Sequence, residues 1–244
     1  RLFLENHPKA SIGVARDVRA ISERAARDAT LLPTELVEIR NTLLAARILK
    51  TAILSTRDKF EPLRSHADNM PNLPQLENDL RYALDEVGKI VDAASPQLAE
   101  IRQDITDTHD RLIQALERLI RNPRNTKFLQ ETLITQRADR YVIPLKANFK
   151  GRIRGIVHDQ SASGATLFIE PLATLDLNNR WRELQLSERE EINRVLHALS
   201  KQVSAKADEI IRIVETLAIL DLAFARARYA TALDATEPEL LHVP

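Results

Sequence analysis

The sequence predicts a mainly α protein: a helical core and a long antiparallel pair of helices, a lever, carrying a small β-rich tip. Three observations carry this prediction. Only 5 of the 244 residues are Gly while 44% are hydrophobic. That balance, rich in Ala, Leu, Ile, Arg and Glu, favours helix over a large sheet, which would need more turn residues. Two long stretches space their apolar residues by alternating steps of three and four, the rhythm of a helix-pairing seam. Three of the five Gly, at positions 151, 155 and 164, fall within fourteen residues, which marks that stretch as the exception to the helical rule.

The first amphipathic helices are expected over Ser11 to Ala29, with Ile12, Ala15, Val18, Ile21 and Ala25 on one face, and over Thr34 to Thr56, with Leu36, Ile39, Leu43, Ala46, Leu49 and Ile53. Pro33 divides them; Thr34 is placed to cap the second and Glu35 to face the positive end of its dipole. Asn69 to Pro74 reads as a loop before a shorter helix near Leu76 to Val87, ended by Gly88, with Ile90 and Val91 as a short strand. Ser95 followed by Pro96 is a strong helix start, a capping residue and then Pro at the first helical position. Leu98, Ile101, Ile105, Thr108, Leu112, Ala115 and Leu119 then keep the seven-residue rhythm until Asn122 and Pro123.

The rhythm returns in Ile192, Leu196, Leu199, Val203, Lys206, Ile210, Ile213, Leu217, Leu220 and Phe224, with Lys206 the one polar member. Leu172 to Ala232 contains neither Pro nor Gly. Leu175 to Ala232 as one helix would be about 85 to 90 Å long, whereas the helix after Pro96 would reach only about 40 Å. The shorter helix is therefore expected to pair antiparallel with half of the longer, the remainder packing on the N-terminal helices. The resulting divisions are 1–95 and 205–244 for the core, 96–124 and 172–204 for the lever, and 125–171 for the tip.

Within the tip, Leu133 to Arg137, Arg140 to Lys146, Ile153 to His158 and Ala165 to Ile169 are short runs rich in β-branched and aromatic residues. Ser161 to Gly164 reads as the hairpin turn between the last two. Pro144 cannot donate to a ladder, so an edge strand or bulge is expected there.

"RYVIPLK" (Arg140 to Lys146), "GIVHDQSASGATLFIEP" (Gly155 to Pro171), "LDLAFARARYA" (Leu220 to Ala230) and the stretch from Val14 to Lys50 together resemble the second bacterial MutS family, the paralogue independent of mismatch repair. The resemblance covers nearly the whole chain and implies a helical core, a lever and a clamp at its tip. It also implies a parent protein that is a homodimeric ATPase using ATP and Mg, with an Smr domain credited with endonuclease activity. No G-x-x-x-x-G-K-S/T spacing occurs here, so the chain is expected to be a core, lever and clamp fragment without the ATPase and Smr domains, with no cofactor and no enzymatic activity of its own.

Composition narrows the function further. Zero Cys excludes a disulfide scaffold, a thiolate metal site and a cysteine nucleophile, and fits a cytoplasmic protein. No run of about 18 apolar residues is present to cross a membrane, and no basic, apolar leader is expected ahead of the fold. The six His show no paired helical spacing for a metal, and His109 is expected to be a solvated surface residue. His158, Asp159, Ser161 and Ser163 supply the residue types of an acyl-transfer triad. Their adjacency argues against one, because triad members converge from separate elements; a tight polar turn is the simpler reading.

Charge is more informative. The 35 basic and 35 acidic residues cancel, yet Arg121 to Gln160 holds nine basic residues (Arg121, Arg124, Lys127, Arg137, Arg140, Lys146, Lys150, Arg152, Arg154) against three acidic (Glu131, Asp139, Asp159). Arg137, Arg140, Lys146, Lys150, Arg152, Arg154 and His158 are thus the candidate nucleic-acid contacts. Tyr141, Phe149 and Phe168 are read as filling the tip's own core, and Trp181 as packing. The resemblance implies two partners for the parent: branched DNA, suppressing homologous recombination, or stalled and collided ribosomes, with rescue of translation. The alternative is a structural or dimerising arm making only protein contacts, whose binding would scarcely follow salt.

Overall fold

The computed structural model describes residues 1–8, 10–56 and 60–236, which divide into two compact units: Arg1–Ala94 with Arg194–Pro244, and Ser95–Asn193. The protein is mainly helical, with one four-stranded antiparallel sheet.

In the first unit, α1 (Leu2–Asn6) and α2 (Arg19–Ala26) precede α3 (Pro33–Leu54). Residues 11–18 do not join α2: Gly13 takes φ +60°, and the Arg16 backbone N–H donates to the Thr42 hydroxyl of α3 rather than to a helical carbonyl. The cap of α3 also differs from expectation. Pro33 occupies its first turn, Leu32 is the capping residue, and Glu35 accepts the Leu32 N–H at 2.9 Å while pairing with both terminal nitrogens of the Arg24 guanidinium. Burial by itself would raise the Glu35 carboxyl, but Arg24 and the Leu32 N–H together hold it below the usual range. All six apolar positions read from the α3 sequence are buried, the five Leu and Ile side chains each contributing on the order of 2 kcal/mol by leaving water.

The helix α4 (Glu61–Asn69), not expected from the sequence, packs on α3, as does α5 (Pro74–Ala83). The latter starts on its own Pro and ends four residues before Val87. Beyond it the expected strand is a single bridge, Leu84 to Ile90, closed by the Asp85 carboxylate, which accepts the N–H groups of Val87 and Lys89.

The expected rod over 175–232 is two helices, α8 (Leu175–Ser204) and α9 (Ala207–Ala232). Ala205 and Lys206 close the first, and Lys206, the polar member of the seam, is the N-cap of the second with φ −120°. Ile210, Ile213, Leu217, Leu220 and Phe224 are buried as expected; α9 lies against α2 and α3, and Phe224 stacks on Phe3.

The second unit begins with α6 (Pro96–Arg121), whose N-cap Ser95 accepts the Leu98 N–H. It pairs antiparallel with the first part of α8: Ser95 donates to Glu191, Arg102 to Glu188, and Arg180 lies 3.7 Å from Asp104. Of the seven-residue series Leu98, Thr108 and Leu112 are buried, and Ile101, Ile105, Ala115 and Leu119 are half-buried. From Leu112 onward the buried residues step by four, through Leu116 to Ile120, and pack with residues of the sheet. After the short α7 (Pro123–Thr126) come β1 (Thr135–Arg137), β2 (Arg140–Lys146), β3 (Gly155–Gln160) and β4 (Thr166–Pro171), in sheet order β1-β2-β4-β3.

One face of the sheet carries Ile143, Leu145, Leu167 and Ile169 into a core with α6, Leu129 and Ile153. β2 is an inner strand, not an edge. Its pairing with β1 stops at Val142, however, so at Pro144 the chain meets only the loop, and the Pro144 carbonyl accepts the Gln130 N–H. The missing donor therefore falls where no strand requires it.

Candidate nucleic-acid interface

The loop from β2 to β3 is built to hold cations outward. One turn of 3₁₀ helix, Ala147–Phe149, leads to Lys150, then Gly151 at φ +84°, a conformation costly for any residue with a Cβ. Arg152 and Arg154 follow, with Ile153 between them buried at 8% exposure in the core. Four backbone bonds fasten the segment: Ala147 N–H to Ala165, Lys150 to Ala147, Arg152 to Phe149, and Leu172 to the Arg154 carbonyl. Lys150, Arg152 and Arg154 are exposed, and among the described residues no carboxylate or carbonyl engages their side chains. Lys146 stands beside them with its ammonium 3.4 Å from the Lys127 carbonyl.

The other three candidates turn inward. On the sheet's second face the Glu170 carboxylate, fully buried, accepts Arg140 at 2.8 Å and His158 at 2.6 Å. Register produces this cluster: Glu170 lies between β2 and β3, and a bulge between Val157 and Asp159 turns His158 toward it. Arg137 pairs with Asp159 at 3.1 Å, and its guanidinium covers the Phe168 ring at 4.2 Å. Arg137, Arg140 and His158 are thereby engaged within the chain, whereas Lys150, Arg152 and Arg154 are presented to solvent. Glu170 itself carries no signal in the sequence, because its partners lie 30 and 12 residues away and meet it only once the strands are registered.

Tyr141 packs on the tip's core as read, but Phe168 does not: it is half-buried on the sheet's second face, beneath Arg137. Phe149 packs on Phe128 at 5.2 Å, and Trp181 is buried against Tyr141. His109 departs from expectation: it is hydrogen-bonded to the Tyr141 hydroxyl at 2.9 Å and packs beside Trp181. The antiparallel course of α6 and α8 brings it over the start of β2. A second residue without a sequence signal is Asn178, fully buried, whose amide accepts the Tyr141 N–H and donates to the Tyr141 carbonyl; this ties α8 to β2 as a neighbouring strand would.

In the hairpin after β3, Ser161 Oγ accepts the Thr166 N–H, and Gly164 at φ +72° completes the turn. His158 points at Glu170 and not at either serine. A cleft of about 740 Å³ in the helical unit is lined by Arg40, Arg47 and Arg81. The first of these donates to the Leu84 and Asp85 carbonyls and the second to both Glu77 oxygens, so its cations are largely engaged.

Over almost its entire length the chain is similar to curated proteins of one name. It is 41% identical over 242 residues to Endonuclease MutS2 of Thermomicrobium roseum, covering 98% of this chain and 30% of the relative. It is 45% identical over 225 residues to that of Geobacillus kaustophilus, covering 91% and 29%, and 38% identical over all 244 residues to that of Symbiobacterium thermophilum, covering 30% of it. The chain is thus homologous to a segment of MutS2 proteins. It spans about 30% of the length of these curated relatives, and no family model matches it. The cation loop and the Glu170 cluster sit within that segment. Among the described residues no group of three or more His, Cys, Asp or Glu could hold a metal ion. No helix among them is long and apolar enough to cross a membrane.

Proposed function

We propose that this stretch of MutS2 is the core, lever and clamp of a MutS-like ATPase, and that its clamp contacts nucleic acid through Lys150, Arg152 and Arg154 with Lys127 and Lys146 beside them. The observation that carries the reading is the absence of any described carboxylate partner for three cations on a backbone-fastened loop. Such side chains release counterions when they meet phosphates and lose no internal pair in doing so. They carry no base code, so the partner is chosen by shape: branched DNA, with suppression of homologous recombination, or a stalled or collided ribosome, with its rescue. ATP, Mg, the endonuclease activity named for the relatives, and dimeric closure around the partner belong on this reading to the rest of the whole protein. The competing reading, an arm that makes protein contacts only, is favoured by Ile156 and Val157, 43% and 40% exposed on β3.

Binding of the chain to four-way junction DNA, linear duplex and ribosomes across a salt series separates the two. The clamp reading expects log affinity to fall linearly with log salt. When Lys150, Arg152 and Arg154 are changed to Glu, the slope should shrink by about 0.9 for each duplex phosphate that is no longer neutralised. Binding to none of the three at low salt, or binding unchanged by the reversal, would replace it with the protein-contact arm.

A further inference from the structure

The cation loop has an apolar anchor in Ile153, but the strand it leads into has little apolar hold of its own. Of the six residues of β3 only His158 is not exposed, so no apolar side chain anchors the strand in the core. What fastens it, beyond the ladder to β4, is a pair of polar contacts on the second face, the His158–Glu170 hydrogen bond and the Asp159–Arg137 ion pair. The first is buried at its carboxylate and the second is solvated.

The join between loop and strand is tighter still. A Cβ at Gly155 would stand 2.5 Å from the Glu170 carbonyl oxygen, and the Arg154 carbonyl accepts the Leu172 N–H two residues beyond. The exit of the cation loop therefore rests directly on the Glu170 backbone, while the Glu170 carboxylate bridges β2 through Arg140 and β3 through His158.

We infer that Glu170 is a positioning residue for the nucleic-acid surface: through Arg140, His158 and the close approach of Gly155 it fixes where Arg152 and Arg154 stand. This rests on the reading of the loop as a phosphate contact. It makes a prediction opposite in sign to simple electrostatics. Glu170→Gln removes a negative charge near a basic surface, which by charge alone strengthens association with a polyanion. If Glu170 positions the cations, the same change weakens it.

The test compares the unaltered chain with Glu170→Gln and Gly155→Ala for duplex DNA binding across a salt series, alongside amide hydrogen exchange and thermal melting. Both variants are expected to bind about tenfold more weakly at moderate salt, with a salt slope lower by about one phosphate's worth. The Arg152 and Leu172 amides, which close the loop, are expected to exchange faster. A merely structural defect lowers the folded fraction without changing the slope of what remains folded. Gly155→Ala keeps every charge and serves if Glu170→Gln does not fold. Equal or tighter binding by Glu170→Gln, an unchanged slope in both variants, or unchanged exchange at the two amides overturns the inference. An unaltered chain that binds no duplex removes the phosphate-contact reading alone, and exchange then still decides whether Glu170 fixes the loop.

Discussion

Arg137, Arg140 and His158 lie on one face of the sheet and Lys150, Arg152 and Arg154 on the loop at its end. In sequence they form one basic run, and in the fold they have opposite fates. The first three sit opposite carboxylates, Asp159 and the buried Glu170, and their polar groups hold strands together. The second three sit on a loop where strand pairing brings no carboxylate to them. The comparison teaches that a cation's role is decided less by its own type than by what the register sets across from it.

That contrast can be broken in graded steps. Arg140→Glu sets a like charge against a fully buried carboxylate and should cost about 3–5 kcal/mol in urea unfolding, the cost of breaking a buried pair. His158→Ala leaves Glu170 with Arg140 alone; the loss of one hydrogen bond to a charged group is expected to cost about 1.5–3 kcal/mol by the same measurement. Arg137→Ala gives up a half-exposed ion pair and the cover over Phe168, together about 1 kcal/mol, read as a small fall in melting temperature. Reversal of Lys150, Arg152 and Arg154 should change unfolding by no more than about 0.5 kcal/mol per site. A triple reversal that unfolds the chain would erase the distinction between the two sets.

Much of the fold is legible in the sequence where one residue decides one feature. Ser95 and Pro96 start α6 where they stand, and the turn at Ser161 to Gly164 separates β3 from β4 as read. The α3 stripe is buried at every position named. Legibility fails where the partner changes along an element. The α6 rhythm reads as one seam, yet its second half faces a sheet, and periodicity cannot report what lies opposite. The break at Ala205 and Lys206 had a signal, the lone polar member of the seam, but no Pro or Gly to mark it. In the candidate site the cations were legible as charge. Their division into paired and free was not, because Glu170, Asn178 and the bulge at His158 act only across strands and helices far apart in sequence.

The exposed β3 edge has one further consequence, for behaviour at high concentration. A free edge with Ile156 and Val157 on display invites another chain to extend the sheet, the usual origin of strand-mediated aggregation. Here the kink between Val157 and Asp159 breaks the straight row of donors and acceptors a visiting strand would need, and Arg154 flanks the entrance with a charge. The same irregularity that turns His158 inward therefore also guards solubility. Straightening it, even with polar residues, would make concentrated solutions turbid while leaving the melting curve of dilute protein little changed.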